Sequence, residues 1–154
     1  MQALSELDVR ALMTVGHDVD LDSLPGAPPS VRVERWVPQA DAFPHASAVV
    51  CHGGTGSTLG ALAAGLPLVV VPLFADQPYN ARRVDAVGAG LTVEPDAAAI
   101  RDALRRVLED ESFRGAVEAL ASEMRAQQRI DTAVDLIAGL ARTTPTRSSR
   151  AASR

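Results

Sequence analysis

Cys51-His52-Gly53-Gly54-Thr55-Gly56-Ser57-Thr58 constrains the fold of this chain more than any other stretch. An apolar run, Ala48-Val49-Val50-Cys51, leads into it, and small residues from Leu59 to Gly65 lead out. The pattern predicts a strand, a glycine turn and then a helix from Leu59. Glycine lacks the Cβ that would keep a bulky anion off the backbone. The first N–H groups of a helix have no partner within it and point at whatever sits there. Both effects make the turn a site for a phosphate or pyrophosphate. His52 and the hydroxyls of Thr55, Ser57 and Thr58 add polar side chains to it.

Strand and helix patterns alternate along the rest of the chain. Val9 to Val15 reads as a buried strand and Val31 to Glu34 as a short alternating one. Asp41 to His45 reads as a short helix or turn, Leu68 to Val71 as an apolar strand, and Leu91 to Val93 as another. A helix is expected from Phe74-Ala75-Asp76-Gln77-Pro78 to about Ala86. Asp96 should cap the helix that buries Ile100, Leu104, Val107 and Leu108. Phe113, Val117, Leu120 and Met124 mark another helix, and Ile130, Val134 and Ile137 a third or its continuation. Met1 to Leu7 resembles the tail of a helix. Strands apolar on both faces and alternating with helices predict an α/β fold: a Rossmann-like parallel sheet with helices on both faces. Residues 1–142 are expected to form one domain, and the Ser-, Thr- and Arg-rich stretch 143–154 a disordered tail.

Composition narrows the function. A chain of 154 residues with 47% hydrophobic and 22% charged residues fits one globular domain. The net charge of −4 gives no reason to expect nucleic acid. Lysine is absent, which excludes a Walker P-loop. One cysteine supports neither a disulfide framework nor a multi-cysteine metal site. Asp18, Asp20 and Asp22 alternate as in a calcium loop, but the glycine and final glutamate of such a loop are missing, so a solvated loop is expected. No signal peptide or membrane-length apolar run is present in the sequence, and the expected compartment is the cytoplasm.

In an open parallel sheet, ligands bind at the carboxyl ends of the strands. Trp36, His52 and Asp76 all follow predicted strand ends. Trp36 could be plain core, but with Gln39 close by it offers a ring to stack on a base and an amide to bond the base or ribose. His52 could merely cap a strand; its place beside the glycine turn and the hydroxyls makes a phosphate ligand the expected role. Asp76 could cap the following helix alone, which leaves Gln77 as the informative partner: together they could bind vicinal sugar hydroxyls. Cys51 and His52 should point to opposite faces of a strand, so no Cys–His dyad is expected. No Gly-x-Ser-x-Gly elbow surrounds Ser57. His17, His45 and Asn80 read as surface or loop residues. Gly54-Thr55-Gly56-Ser57-Thr58-Leu59-Gly60 nearly matches a dinucleotide fingerprint. Its place after a third strand, the preceding histidine and the Asp76-Gln77 pair count against a nicotinamide or flavin protein.

Trp36-Val37-Pro38-Gln39, the His52 to Thr58 stretch, Gly65-Leu66-Pro67 and Asp76-Gln77-Pro78-Tyr79-Asn80-Ala81 together resemble the C-terminal donor-binding domain of GT-B-fold nucleotide-sugar glycosyltransferases, most nearly the actinobacterial macrolide and antibiotic type. The resemblance runs from about Val9 to about Leu140. It implies that Trp36 stacks on uracil or thymine and that Gln39 lies near base and ribose. His52, Gly54, Ser57 and Thr58 would hold the diphosphate, with Thr55 and Gly56 in the same turn, and Asp76 and Gln77 would bind the sugar. Gly60 stands where plant relatives carry a glutamate for the ribose, and Gly56 where they carry an asparagine.

The implied activity is transfer of a hexose from a UDP- or TDP-sugar to a small, natural-product-like acceptor with inversion. No cofactor or metal beyond that co-substrate is expected. The acceptor domain with its catalytic base, and the first strand of the donor domain, are not recognisable in this sequence, so a separate acceptor-domain chain is one expected partner. The rival reading is a non-catalytic nucleotide-sugar-binding module or partner subunit.

Overall fold

The computed structural model describes residues 1–127 and 130–143. Its strands are β1 (Ala11–Thr14), β2 (Val31–Glu34), β3 (Val49–Cys51), β4 (Leu68–Val70) and β5 (Gly90–Thr92). Its α-helices are α1 (Gln39–Ala42), α2 (Thr55–Ala63), α3 (Gln77–Ala86), α4 (Ala97–Glu109), α5 (Glu111–Gln127) and α6 (Ile130–Thr143). Short 3₁₀ turns lie at Gln2–Leu4, Leu21–Ser23 and Phe43–His45. All strand pairs are parallel, as the alternation of strand and helix predicts. Among the described residues no helix is long and apolar enough to cross a membrane.

β4 explains how the helices are layered. Leu68, Val69 and Val70 are all fully buried, yet successive strand residues face opposite ways. Leu68 and Val70 pack with Ala61 of α2, Ala81 and Val84 of α3, and Val117 of α5. Val69 packs on the other face with Ala103, Leu104 and Val107 of α4 and Phe113 of α5. A continuous apolar strand therefore has helices on both its faces. Asp96 caps α4, its Oδ1 accepting from the Ala99 N–H at 2.9 Å. The turn at Gln2–Leu4 brings Leu4 and Leu7 against the α4 layer.

The expected single sheet is present as two ladders, β1-β2 and β3-β4-β5. The doubly wound order 3-2-1-4-5-6 leaves this pair of ladders when its strand 1 is taken out. β1 is not the buried strand its composition suggested. Leu12 is 45% exposed, and so is Val50 on β3 at 44%. Each sits on a strand that pairs on one side only among the described residues. The α6 residues Val134, Leu136 and Ile137 are likewise exposed. The aspartate-rich loop needs no metal to turn: Asp20 caps its own 3₁₀ turn through the Asp22 N–H. The tail expected beyond α6 lies outside the described residues.

Burial ranks the strands by their contribution to stability. Leu68→Ala, at the point where both helix layers meet, is expected to lower the unfolding free energy by about 2–5 kcal/mol in a urea titration. Leu12→Ala, on the open strand, is expected to cost about 1 kcal/mol or less.

Candidate functional site at the amino end of α2

The turn between β3 and α2 is held by close approaches that only glycine permits. Gly53 has φ +85°, and a Cβ there would lie 2.8 Å from Val70 Cγ1 and 3.2 Å from the Gln77 carbonyl oxygen. A Cβ on Gly54 would meet His52 Nε2 at 2.5 Å, so the imidazole folds back over the N-cap residue of α2. No side chain caps this helix. Its first amides, at Thr55, Gly56 and Ser57, therefore have neither an intrahelical nor a side-chain acceptor. A Cβ on Gly56 would meet nothing within 4 Å, so the space beside the first turn is open. An uncapped helix end, an imidazole above it and open space together favour an anion.

The neighbouring elements bring polar groups to the same end. Gln39, at the start of α1, donates from Nε2 to Ser57 Oγ at 2.8 Å. Thr55 Oγ1 donates to Asp76 Oδ2 at 2.8 Å. These contacts hold the Asp76 carboxyl below its ordinary range; the Thr55 hydroxyl is the largest cause, followed by the Asn80 amide. Asp76 occupies the N-cap position of α3 without capping it, so the alternative of a plain helix cap is not what its side chain does. Trp36 is 61% exposed, which removes the core reading. One side of its ring stacks on His17, with centroids 6.5 Å apart and planes 23° apart.

The structure narrows two of the expected ligand contacts. α2 begins at Thr55 and not at Leu59, which turns Thr58 inward. Thr58 is 5% exposed, its N–H donates to the Gly54 carbonyl, and its hydroxyl has no nitrogen or oxygen partner. It lies beside the Cys51 thiol, under the helix, and offers nothing to a ligand at the open end. Burial pushes the Cys51 thiol up from its ordinary value, which suits packing and not nucleophilic chemistry.

Gln77 is also 5% exposed. Its Oε1 accepts from the Leu73 and Phe74 N–H groups at 2.8 and 3.1 Å. It thus clamps the loop in which Ala75 takes the left-handed φ of 57°. Only its amide nitrogen is left for a ligand.

Asn80, read as a surface residue, proves to be a hub: Nδ2 donates to the Gly53 carbonyl at 2.9 Å and to Asp76 Oδ2 at 3.1 Å. Its spacing of four from Asp76 on one helix face was the available signal. At Gly60 an added Cβ would lie 3.1 Å from Phe43 Cε2. Phe43, Gly60, Gln39, Ala40 and Ala63 line a shallow groove between α1 and α2. A larger residue at position 60 would have to displace that ring.

With this geometry in hand, likeness to known proteins is informative. Residues 1–138 match the family described as the erythromycin biosynthesis protein CIII-like, C-terminal domain. The elloramycin glycosyltransferase ElmGT of Streptomyces olivaceus is 47% identical over 108 residues, 70% of this chain and 27% of that protein. The crystal structure of the calicheamicin glycosyltransferase CalG4 superposes with a TM-score of 0.84 at 33% identity, covering 94% of this chain and 38% of the other. The glycosyltransferase VinC, in complex with dTDP, gives a TM-score of 0.85 at 28% identity, covering 92% and 36%. The chain thus spans between about a quarter and two fifths of the length of these relatives.

The Asp76 network sets an expected pH response. The carboxyl should titrate below the ordinary aspartate range, and Thr55→Val should move it upward in an NMR titration. Because the folded value is depressed, the stabilisation it gives is present above the unfolded pKa and is lost as pH falls through the folded one.

Proposed function

This chain belongs to the erythromycin-CIII-like family of C-terminal domains, and from that premise we propose that it binds the nucleoside-diphosphate sugar of an antibiotic-type glycosyltransferase. The observation that carries the reading is the uncapped amino end of α2 with the His52 ring folded over Gly54. A diphosphate placed there accepts from the amides of Thr55, Gly56 and Ser57 and meets the imidazole of His52. Trp36 offers an exposed ring for the base. Gln39, tied to Ser57, lies between base and phosphate, and the Asp76 carboxylate accepts from the sugar hydroxyls. VinC, so similar in fold, was crystallised with dTDP, which favours a thymidine nucleotide over a uridine one.

In the reaction the acceptor oxygen attacks the anomeric carbon from the face opposite the diphosphate. The bond from that carbon to the phosphate oxygen breaks, and configuration inverts. The negative charge grows on the leaving diphosphate. Donors already aimed at that position stabilise it without reorganising, and the helix end adds a partial positive charge. The base that takes the acceptor proton is assigned to residues beyond those of the donor site. The reading calls on no cofactor besides the sugar nucleotide, and the acceptor class is a small natural product.

Calorimetric titration with TDP and UDP tests the assignment. Saturable binding is expected. Trp36→Ala should lose the stacking contribution of about 1–3 kcal/mol. His52→Ala should weaken TDP by about tenfold, the scale of a charge-assisted hydrogen bond. A cooperatively folded chain that binds neither nucleotide, or binds both unaffected by His52→Ala, would refute the reading.

A further inference from the structure

Asn80 on α3 lies one turn after Asp76, which occupies the N-cap position of that helix. The amide nitrogen of Asn80 reaches the Gly53 carbonyl at 2.9 Å, Asp76 Oδ2 at 3.1 Å and Thr55 Oγ1 at 3.4 Å. An amide NH₂ has two protons, and the two shorter contacts use both. Those two acceptors differ in kind. Gly53 is a backbone group at positive φ, with Val70 and the Gln77 carbonyl packed close beside it. Asp76 is an exposed side chain at the start of a helix. Asn80 therefore ties an exposed carboxylate to a closely packed turn of the backbone. Thr55, the first residue of α2, completes the frame through its own hydrogen bond to the same carboxylate oxygen. Oδ2 is thus occupied by protein side chains, while Oδ1 has no side-chain partner among the described residues; the carboxylate also accepts from its own backbone N–H.

We infer that Asn80 is a positioning residue: it fixes the Asp76 carboxylate against the amino end of α2 so that Oδ1, the oxygen without a side-chain donor, faces the sugar of the bound nucleotide. The inference rests on the proposed donor site. It assigns to Asn80 a selective effect, on the sugar half of the ligand and not on the diphosphate half. A purely structural tie between α3 and the Gly53 turn would loosen both halves together. The depressed titration of Asp76 supports the arrangement, because loss of the Asn80 donor must let the carboxyl move up. His52 is the titratable group that faces Asp76 from the turn and is kept in all variants.

The test compares TDP with TDP-glucose by calorimetry on the whole chain, alongside NMR titration of the Asp76 carboxyl. The proteins are the unaltered chain, Asn80→Ala, Asn80→Leu and Asp76→Ala. Asn80→Leu keeps the volume without a donor or a charge and gives the answer if Asn80→Ala does not fold. In the Asn80 variants TDP affinity should stay within about twofold, while the advantage of TDP-glucose over TDP falls by about tenfold. The Asp76 carboxyl should titrate higher in both. Equal losses for the two ligands, or an unmoved Asp76 titration, would overturn the inference. If Asp76→Ala abolishes the advantage but the Asn80 variants keep it, the positioning role fails and the donor site stands. If the unaltered chain shows no advantage for TDP-glucose, or Asp76→Ala leaves it intact, Asp76 is not the sugar ligand, and both the inference and that part of the donor-site reading fall.

Discussion

The rest of the structure depends on the contact between the Gly53 turn and the two elements behind it. With φ +85° and Val70 and Gln77 within contact distance of any added Cβ, the chain leaving β3 can take only a narrow path. That path sets where α2 begins. It brings the His52 ring back over Gly54 and presents the Gly53 carbonyl to Asn80. The buried β4 supplies the surface against which the turn is pressed, because Val70 is fully buried in the helix layer formed by α2, α3 and α5. Core packing and site geometry are the same interaction seen from two sides.

Each component of the site is contributed by a separate β-to-helix connection. β2 leads to Trp36 and Gln39, β3 to His52 and Gly54, and β4 to Asp76, Gln77 and Asn80. All of these follow the carboxyl ends of parallel strands, β2 in one ladder and β3 and β4 in the other. Cross-links between the connections, Gln39 to Ser57 and Thr55 to Asp76, then bind the pieces into one surface. Each cross-link joins a group assigned to the phosphate with one assigned to the base or the sugar. The polar residues thus organise one another before any ligand arrives, which is the condition for electrostatic stabilisation without reorganisation.

Much of this was legible in the sequence, for physical reasons. An apolar run into a glycine turn reads as strand and turn, and Leu68-Val69-Val70, short, mostly β-branched and closed by turn residues, reads as a strand covered on both faces. What escaped was phase. Starting α2 at Thr55 instead of Leu59 decides that Ser57 is accessible and Thr58 is not. Residue type says that a hydroxyl is present; only the first helical residue says where it points. Gln77 escaped for a related reason. Its carbonyl serves the strained loop at Ala75, and nothing in the sequence marks that loop as needing a clamp. The division into two ladders depends on which strands find neighbours, a property of topology and not of composition.

The central claim is that the amino end of α2 receives the diphosphate, and backbone amide spectra during titration with TDP test it most directly. The account predicts that the largest shifts fall on the amides of Thr55, Gly56 and Ser57 and on the His52 ring, with smaller ones at Trp36 and Gln39. Thr58, whose N–H is already bonded to Gly54, should move little. Shifts confined to the groove around Phe43 and Ala63, or spread over the surface with the Thr55 to Ser57 amides unmoved, would contradict it.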